Sequence, residues 1–317
     1  MCITLSHKKF KIDNVNSCKL HYQLILKKFL DNLKIRELSE GYIRRNKKDL
    51  RIFFKYLMKN NVFSIKRITY DNILNYIFTK DSYSQSTKYN LISNIRCFLR
   101  FAYLNGLIDK DFSLSIPKLK INHNSKIPHT IWSSDEISKI LSCIDRSSQI
   151  GKRNYAIFML LAHLGLRLSD VKNLKFRNID WQMNILNITQ NKTKKVVTLP
   201  LLENVGLALI DYIKNGRPTV NSQYIFLNKK NKKLSDKHCF YNTFRKYLNL
   251  ANIDISNKKC IGTYSLRHSL ATTLLQNRTP LSTISGILGH TDVNNTDIYL
   301  KVDTSSLKEC CLRLEVN

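Results

Sequence analysis

Apolar residues recur at three- and four-residue spacing through most of the chain, and the segments that keep this period read as helices. Leu20, Leu24, Leu26, Leu30 and Leu33 form the first stripe. A second runs through Ile43, Leu50, Phe54 and Leu57, with Ser39 as N-cap and a start near Glu40. A third helix follows Thr69 and buries Ile73, Leu74 and Ile77. The fourth, Ser86 to Leu104, uses Leu91, Ile95, Phe98 and Ala102, and Gly106 supplies its C′ stop. Together they predict a small all-α domain over residues 18–112. Residues 1–17 are polar and aperiodic and are expected to form a loose leader.

The helical period then disappears. Residues 113–130 hold Pro117, Pro128, Lys118, Lys120 and Lys126 without a repeat, as a linker does. Ser133 and Glu136 stand at capping-box spacing, so a second domain is expected over residues 131–317. Its segment from Tyr155 to Leu166 is apolar all round and belongs inside. Alternation of period two takes over at 185–189 and 196–200, a hairpin whose turn, 190–195, is crowded with lysines. Helices return over 205–213 and 236–250, and again from about Ser265, burying Leu270, Leu274 and Leu275. Thr279 and Pro280 read as N-cap and N1 of a helix that ends at Leu288 and is broken by Gly289. The tail from Val302 keeps Leu307, Cys311 and Leu314 on one helical face. The predicted fold class is mainly α with a small β-sheet, α+β.

Charge changes the picture more than composition does. Fifty-two Lys and Arg against 23 Asp and Glu leave +29, which self-repels unless a polyanion is the partner. Nucleic acid is the first candidate and an anionic membrane surface the second. The second helix turns Arg44, Lys48, Arg51 and Lys55 to one side, either a phosphate-contacting face or a solvated one. No apolar run approaches the roughly 20 residues needed to span a bilayer. The N-terminus lacks a signal-peptide hydrophobic region, so a cytoplasmic protein is expected. Eight cysteines form no C-x-x-C pair and no zinc-spaced cluster, so reduced thiols and no metal are expected.

Two motifs carry candidate chemistry. The first is Leu164-Gly165-Leu166-Arg167-Leu168-Ser169-Asp170. Arg167, directly after a Gly-broken buried helix, cannot bury its charge without an anion or an acid nearby. The second runs from Thr263 through Tyr264, Arg267 and His268 to Leu288-Gly289-His290 and Tyr299, with Arg267, His290 and Tyr299 at spacings of 23 and 9. These residues resemble the signature of the tyrosine recombinases, the family of phage integrases and chromosome-dimer resolvases. That signature has a G-L-R-x-S-E/D turn, an H-x-x-R-H helix, an L-G-H turn and a tyrosine nine residues beyond the histidine. Tyr264 departs from it, standing where the family has histidine.

The resemblance implies a SAM-like helical core-binding domain followed by a mixed α/β catalytic domain, clamping duplex DNA. It implies Arg167, Arg267, His290 and the nucleophile Tyr299 as catalytic residues, and Asp170 as the acid that orients Arg167. The family's catalytic lysine lies in the hairpin turn eight residues before a proline, which points to Lys192, with Lys194 and Lys195 as near misses. The lysines of the linker, Lys118 and Lys120 among them, are candidates to track a DNA backbone. In the implied reaction two arginine forks neutralise a phosphodiester, and His290 adds a hydrogen bond to the pentavalent state. Tyr299 attacks, and Lys192 protonates the leaving 5′-oxygen. The 3′-phosphotyrosyl product keeps the ester bond, so no metal or nucleotide cofactor is required. A phenol at Tyr264 mainly donates or relays a hydrogen bond. The family also implies a homo-oligomer, a tetramer in synapsis. The alternatives are a type IB topoisomerase-like relaxing enzyme and a sequence-specific DNA-binding protein whose site is impaired by Tyr264.

Overall fold

The architecture is that of a computed structural model, which describes residues 2–119, 130–235, 239–256, 258 and 260–289, with side chains from Cys18 onward. The chain divides into two compact units, Met1–His123 and Asn124–Asn317.

The first unit is helical. Helix α1 spans Cys2–Ile35 and so takes in the stretch expected as a leader. No Gly or Pro interrupts it, so nothing in the sequence stops the helix short. Its buried stripe is Tyr22, Ile25, Leu26, Phe29, Leu30 and Leu33, whereas Leu20 and Leu24 face outward. The aromatic residues Tyr22 and Phe29 set the true phase of this helix, which the leucines alone misplace.

Helix α2 (Glu40–Lys59) starts where Ser39 accepts from the Tyr42 N–H at 3.3 Å. Helix α3 (Tyr70–Phe78) opens on a reciprocal capping box between Thr69 and Asn72, and Tyr76 rather than Leu74 or Ile77 joins Ile73 in the core. Helix α4 (Gln85–Leu104) is capped by Ser84 and stopped by Gly106, whose φ of +64° an L side chain seldom adopts. A single turn, α5 (Phe112–Ser115), occupies the start of the expected linker. The centre is aromatic: Phe98 meets Phe29 and Phe54 with ring centroids 5.5 and 5.1 Å apart.

The second unit opens with α6 (Ser134–Ser142), which carries the predicted capping box of Ser133 and Glu136. Helix α7 (Gln149–His163) is buried without a break from Ala156 to Ala162 and packs against α9 and α11. It begins and ends earlier than its apolar run suggests, because Leu164 and Gly165 already leave the helix. After the short α8 (Leu168–Lys172) come β1 (Ile179–Asp180), β2 (Ile185–Thr189) and β3 (Val196–Pro200), an antiparallel sheet in that order. Register pairs Ile188 with Val197 and Leu186 with Leu199, so these four apolar side chains share the buried face.

Helices α9 (Glu203–Asn215), α10 (Tyr241–Leu250), α11 (Tyr264–Gln276) and α12 (Leu281–Leu288) complete the unit. Pro280 is the N-cap of α12 rather than its first helical residue. In α11 the buried positions are Ser265, Leu266, Arg267, Ser269, Ala271 and Thr272, with Leu270, Leu274 and Leu275 only half-buried. Among the described residues, no helix is long and apolar enough to cross a membrane.

Candidate functional site

Three helix ends and one hairpin turn converge on the two signature arginines. After α7 the chain passes Gly165 at φ +59°, where an added Cβ would stand 2.9 Å from Leu270 Cδ2 and 3.1 Å from Leu288 Cδ2. That close approach delivers Arg167 to the N-cap of α8 with its side chain half-buried. Arg267, one turn into α11, is only 1% exposed. It donates to the carbonyls of Gly165 at 2.7 Å and of Leu288 at 2.5 Å. Leu288 is the last residue of α12, where the helix presents unsatisfied carbonyls and the negative end of its dipole. Backbone oxygens thus hold a buried cation by orientation and partial charge.

The β2–β3 turn closes over this site. Asp170 was the expected partner of Arg167, yet its Oδ1 accepts the Asn191 N–H at 2.9 Å and the Ser169 hydroxyl at 3.3 Å. A short carboxylate one turn into α8 reaches the hairpin backbone more readily than the guanidinium at the helix start. Burial pushes the Asp170 carboxyl above the usual carboxylate range, against the pull of the Asn191 N–H and of the Arg167 charge.

Arg167 donates from Nη1 to the side-chain oxygen of Gln190 instead. Gln190 is itself 1% exposed; its Nε2 donates to the Leu288 carbonyl at 3.0 Å, and its oxygen also accepts from Thr193 Oγ1 at 2.8 Å. Gln190 carries no motif signal, and it is the principal site residue that sequence reading misses.

Lys192 lies in this turn with an exposed side chain, beside Lys194, which adopts φ +58°. Tyr264, the first residue of α11, is exposed, and its ring stands edge-on to His268 with centroids 4.6 Å apart at 87°. Burial, with Arg267 alongside, pushes His268 down to about 4, so this residue of the motif helix is a neutral imidazole near pH 7. His290 and Tyr299 lie outside the described residues.

The basic candidates of the first unit that are described are at its surface. Arg44, Lys48, Arg51 and Lys55 are exposed on α2. Arg44 has an acidic neighbour, Glu40 at 3.9 Å. Arg51 and Lys55 also border a groove of about 740 Å³ between α1 and α2, whose rim adds Lys19, Lys27 and Lys47. Lys118 is exposed just after Pro117, and Lys120 lies outside the described residues.

Comparison with known proteins agrees with this arrangement. Residues 131–306 match the model of the phage integrase family, and residues 26–106 match the SAM-like N-terminal domain of phage integrases. The chain belongs to the phage integrase family. Among relatives of this family, it is 30% identical over 280 residues to the putative integrase/recombinase y4rA of Sinorhizobium fredii, covering 87% of this chain and 67% of that protein. It is 28% identical over 292 residues to tyrosine recombinase XerD of Staphylococcus epidermidis, covering 90% and 96%. With y4rF of Sinorhizobium fredii it shares 31% identity, spanning about half that protein's length, 54%.

Solved structures share the fold. XerH recombinase bound to a palindromic difH substrate superposes with a TM-score of 0.70 at 20% identity, covering 93% of this chain and 96% of that one. A lambda integrase dimer bound to a core site gives 0.67 at 16% identity, covering 87% and 94%.

Proposed function

We propose that this integrase-family chain is a site-specific tyrosine recombinase that cuts and rejoins duplex DNA through a 3′-phosphotyrosyl intermediate. The observation that carries the reading is the linkage of Arg167 and Arg267 through Gln190 and the Leu288 carbonyl, with the Lys192 turn bonded into the same cluster. Two oriented guanidinium forks beside one lysine suit a phosphodiester, whose non-bridging oxygens take paired donors as charge accumulates.

In the proposed reaction the Tyr299 hydroxyl loses its proton to water or another neighbour, its oxygen attacks the phosphorus and the bond to the 5′-oxygen breaks. Lys192 gives that oxygen its proton, and His290 donates a hydrogen bond to a non-bridging oxygen of the pentavalent state. The free 5′-hydroxyl of a second strand then reverses the step, and the phosphoester bond is conserved throughout. Bond conservation leaves nothing for a nucleotide cofactor to supply. Duplex DNA is the proposed partner, met by the exposed cations of α2, and the proposed working state is a homo-oligomer, a tetramer in synapsis.

The test uses a nicked suicide duplex of the sequence that the full chain selects from a randomised library. Wild type should form a covalent protein–DNA adduct, and Tyr299→Phe should form none while binding the duplex normally, because only the hydroxyl attacks. An adduct surviving in Tyr299→Phe moves the nucleophile elsewhere. No adduct with wild type leaves a DNA-binding protein. Strand exchange between two labelled duplexes separates a recombinase from a type IB topoisomerase-like enzyme, which reseals only the strand it cut.

A further inference from the structure

We propose that Gln190 is a positioning residue for the phosphate-binding arginines: its amide oxygen fixes the Arg167 fork, and its amide N–H, through the Leu288 carbonyl, ties that fork to Arg267. The proposal rests on the recombinase reading for the purpose of the linkage, but the linkage itself is a matter of geometry.

Every polar end of this side chain is engaged. Oε1 accepts from Arg167 Nη1 and from Thr193 Oγ1 at 2.8 Å, and Nε2 donates at 3.0 Å to the Leu288 oxygen that also takes Arg267 Nη2. Its backbone closes the turn as well, the N–H donating to Lys195 at 2.9 Å and the carbonyl accepting from Lys194 at 2.8 Å. One residue therefore joins the start of α8, the lysine-bearing turn and the end of α12. The amide lies directly against Gly289: a Cβ there would stand 2.3 Å from Gln190 Nε2 and 2.6 Å from Cδ. Burying an amide costs free energy unless its hydrogen bonds are made, and here the cost is met by aligning two cations.

Neutrality is the reason for an amide. A carboxylate at this position would cancel guanidinium charge that the phosphate is to receive, and a cation would repel both arginines. A neutral group with an acceptor at one end and a donor at the other orients Arg167 while leaving its charge available. The fork keeps its other N–H groups clear of Gln190, since a single Nη1 contact fixes it.

The test compares wild type, Gln190→Met and Gln190→Glu as full chains in three measurements: affinity for the selected duplex, single-turnover cleavage of its nicked form, and the position of Arg167 in crystals. Methionine matches the length and lacks both polar ends. Its cleavage rate should fall roughly tenfold to a hundredfold, with affinity nearly unchanged and Arg167 turned away from residue 190. Glutamate keeps the oxygen that accepts from Arg167 and Thr193 but adds the charge that cancels the guanidinium and loses the donor to Leu288, so it should hold Arg167 in place and yet cleave no faster than methionine. Equal losses of affinity and cleavage, or an Arg167 that stays put in Gln190→Met, would overturn the proposal. If Gln190→Met fails to fold, the crystal of Gln190→Glu decides: Arg167 still held at residue 190 supports it, and Arg167 released overturns it. A wild type that forms no adduct refutes the recombinase reading alone, and the crystal comparison still decides whether Gln190 holds Arg167.

Discussion

Among the described residues of the first unit, the buried polar side chains are Asn46, Asn94 and Ser113, while the arginines and lysines of α2 stand in solvent. In the second unit Arg153, Asp170, Lys172 and Arg267 are all buried. Exposed cations on flexible stems attract a polyanion from a distance, are screened by salt and fix little geometry. A guanidinium seated on helix-end carbonyls is costly to bury, yet it arrives at its substrate already oriented. The comparison separates affinity, a matter of how many charges are present, from reactivity, a matter of where two of them point.

The largest expected effect strikes the oriented charges. Arg167→Lys and Arg267→Lys should each lower single-turnover cleavage by roughly 10³–10⁵, because a point charge does not replace a bidentate fork in phosphoryl transfer. Arg267→Lys should also lower the melting temperature, since the lysine cannot reach both the Gly165 and Leu288 carbonyls. A variant that cleaves within about tenfold of wild type would assign its arginine to packing alone and erase the contrast.

Buried ionisation also makes the second unit sensitive to acid. His268 is held down at about 4 by burial and by Arg267, whereas in the unfolded chain it takes its ordinary value of 6.5. Between these values the unfolded state binds the extra proton, so stability present above pH 6.5 is lost as pH falls toward 4. Thermal unfolding of wild type and His268→Asn across that window should differ in slope, the variant being flatter. Parallel curves would show that folding does not hold His268 neutral in this window.

A smaller effect is expected at the edge of the site. Tyr264→Phe should lose one hydrogen bond, on the order of 1–2 kcal/mol or five- to thirtyfold in cleavage rate. Tyr264→His should retain activity. A phenylalanine variant as inactive as Tyr299→Phe would give Tyr264 a direct part in proton transfer.

The smallest effect belongs to the surface cations. Replacing Lys48 and Arg51 together should flatten the dependence of log K on log salt, by about 0.9 for each phosphate that is no longer neutralised. Cleavage of bound duplex should be unaffected. An unchanged salt slope would return this face of α2 to plain solvation.

Much of this contrast is legible in the sequence. Gly165-Leu166-Arg167 and the Arg267 helix stand out because fixed spacing marks residues that must meet, and Ser39, Thr69 and Ser133 announce helix starts through local chemistry. The inner face of α1 is misread because leucines draw the eye, although Tyr22 and Phe29 fill the core and Leu20 and Leu24 do not. Asp170 is read only as the acid beside Arg167; that its Oδ1 accepts from Asn191 and Ser169 is not legible, because sequence proximity says nothing of where a side chain points. Gln190 is invisible for a different reason. Its partners are Arg167, 23 residues back, and Leu288, 98 residues on, and no local pattern distinguishes a buried turn glutamine from a solvated one.

The chain has two tryptophans, Trp132 and Trp181, and both belong to the second unit. Trp132 is buried against Phe244, its indole N–H donating to Ser265 at 2.6 Å and its backbone N–H to Ser269 at 2.7 Å, both on α11. Trp181 is 40% exposed. The molecule therefore carries its own optical label on the helix of Arg267: a blue-shifted indole emission that persists only while α11 is seated. The first unit, which has tyrosines but no tryptophan, is silent when excitation is confined to the red edge of the indole band. Intrinsic fluorescence excited there follows the seating of the signature helix without any dye.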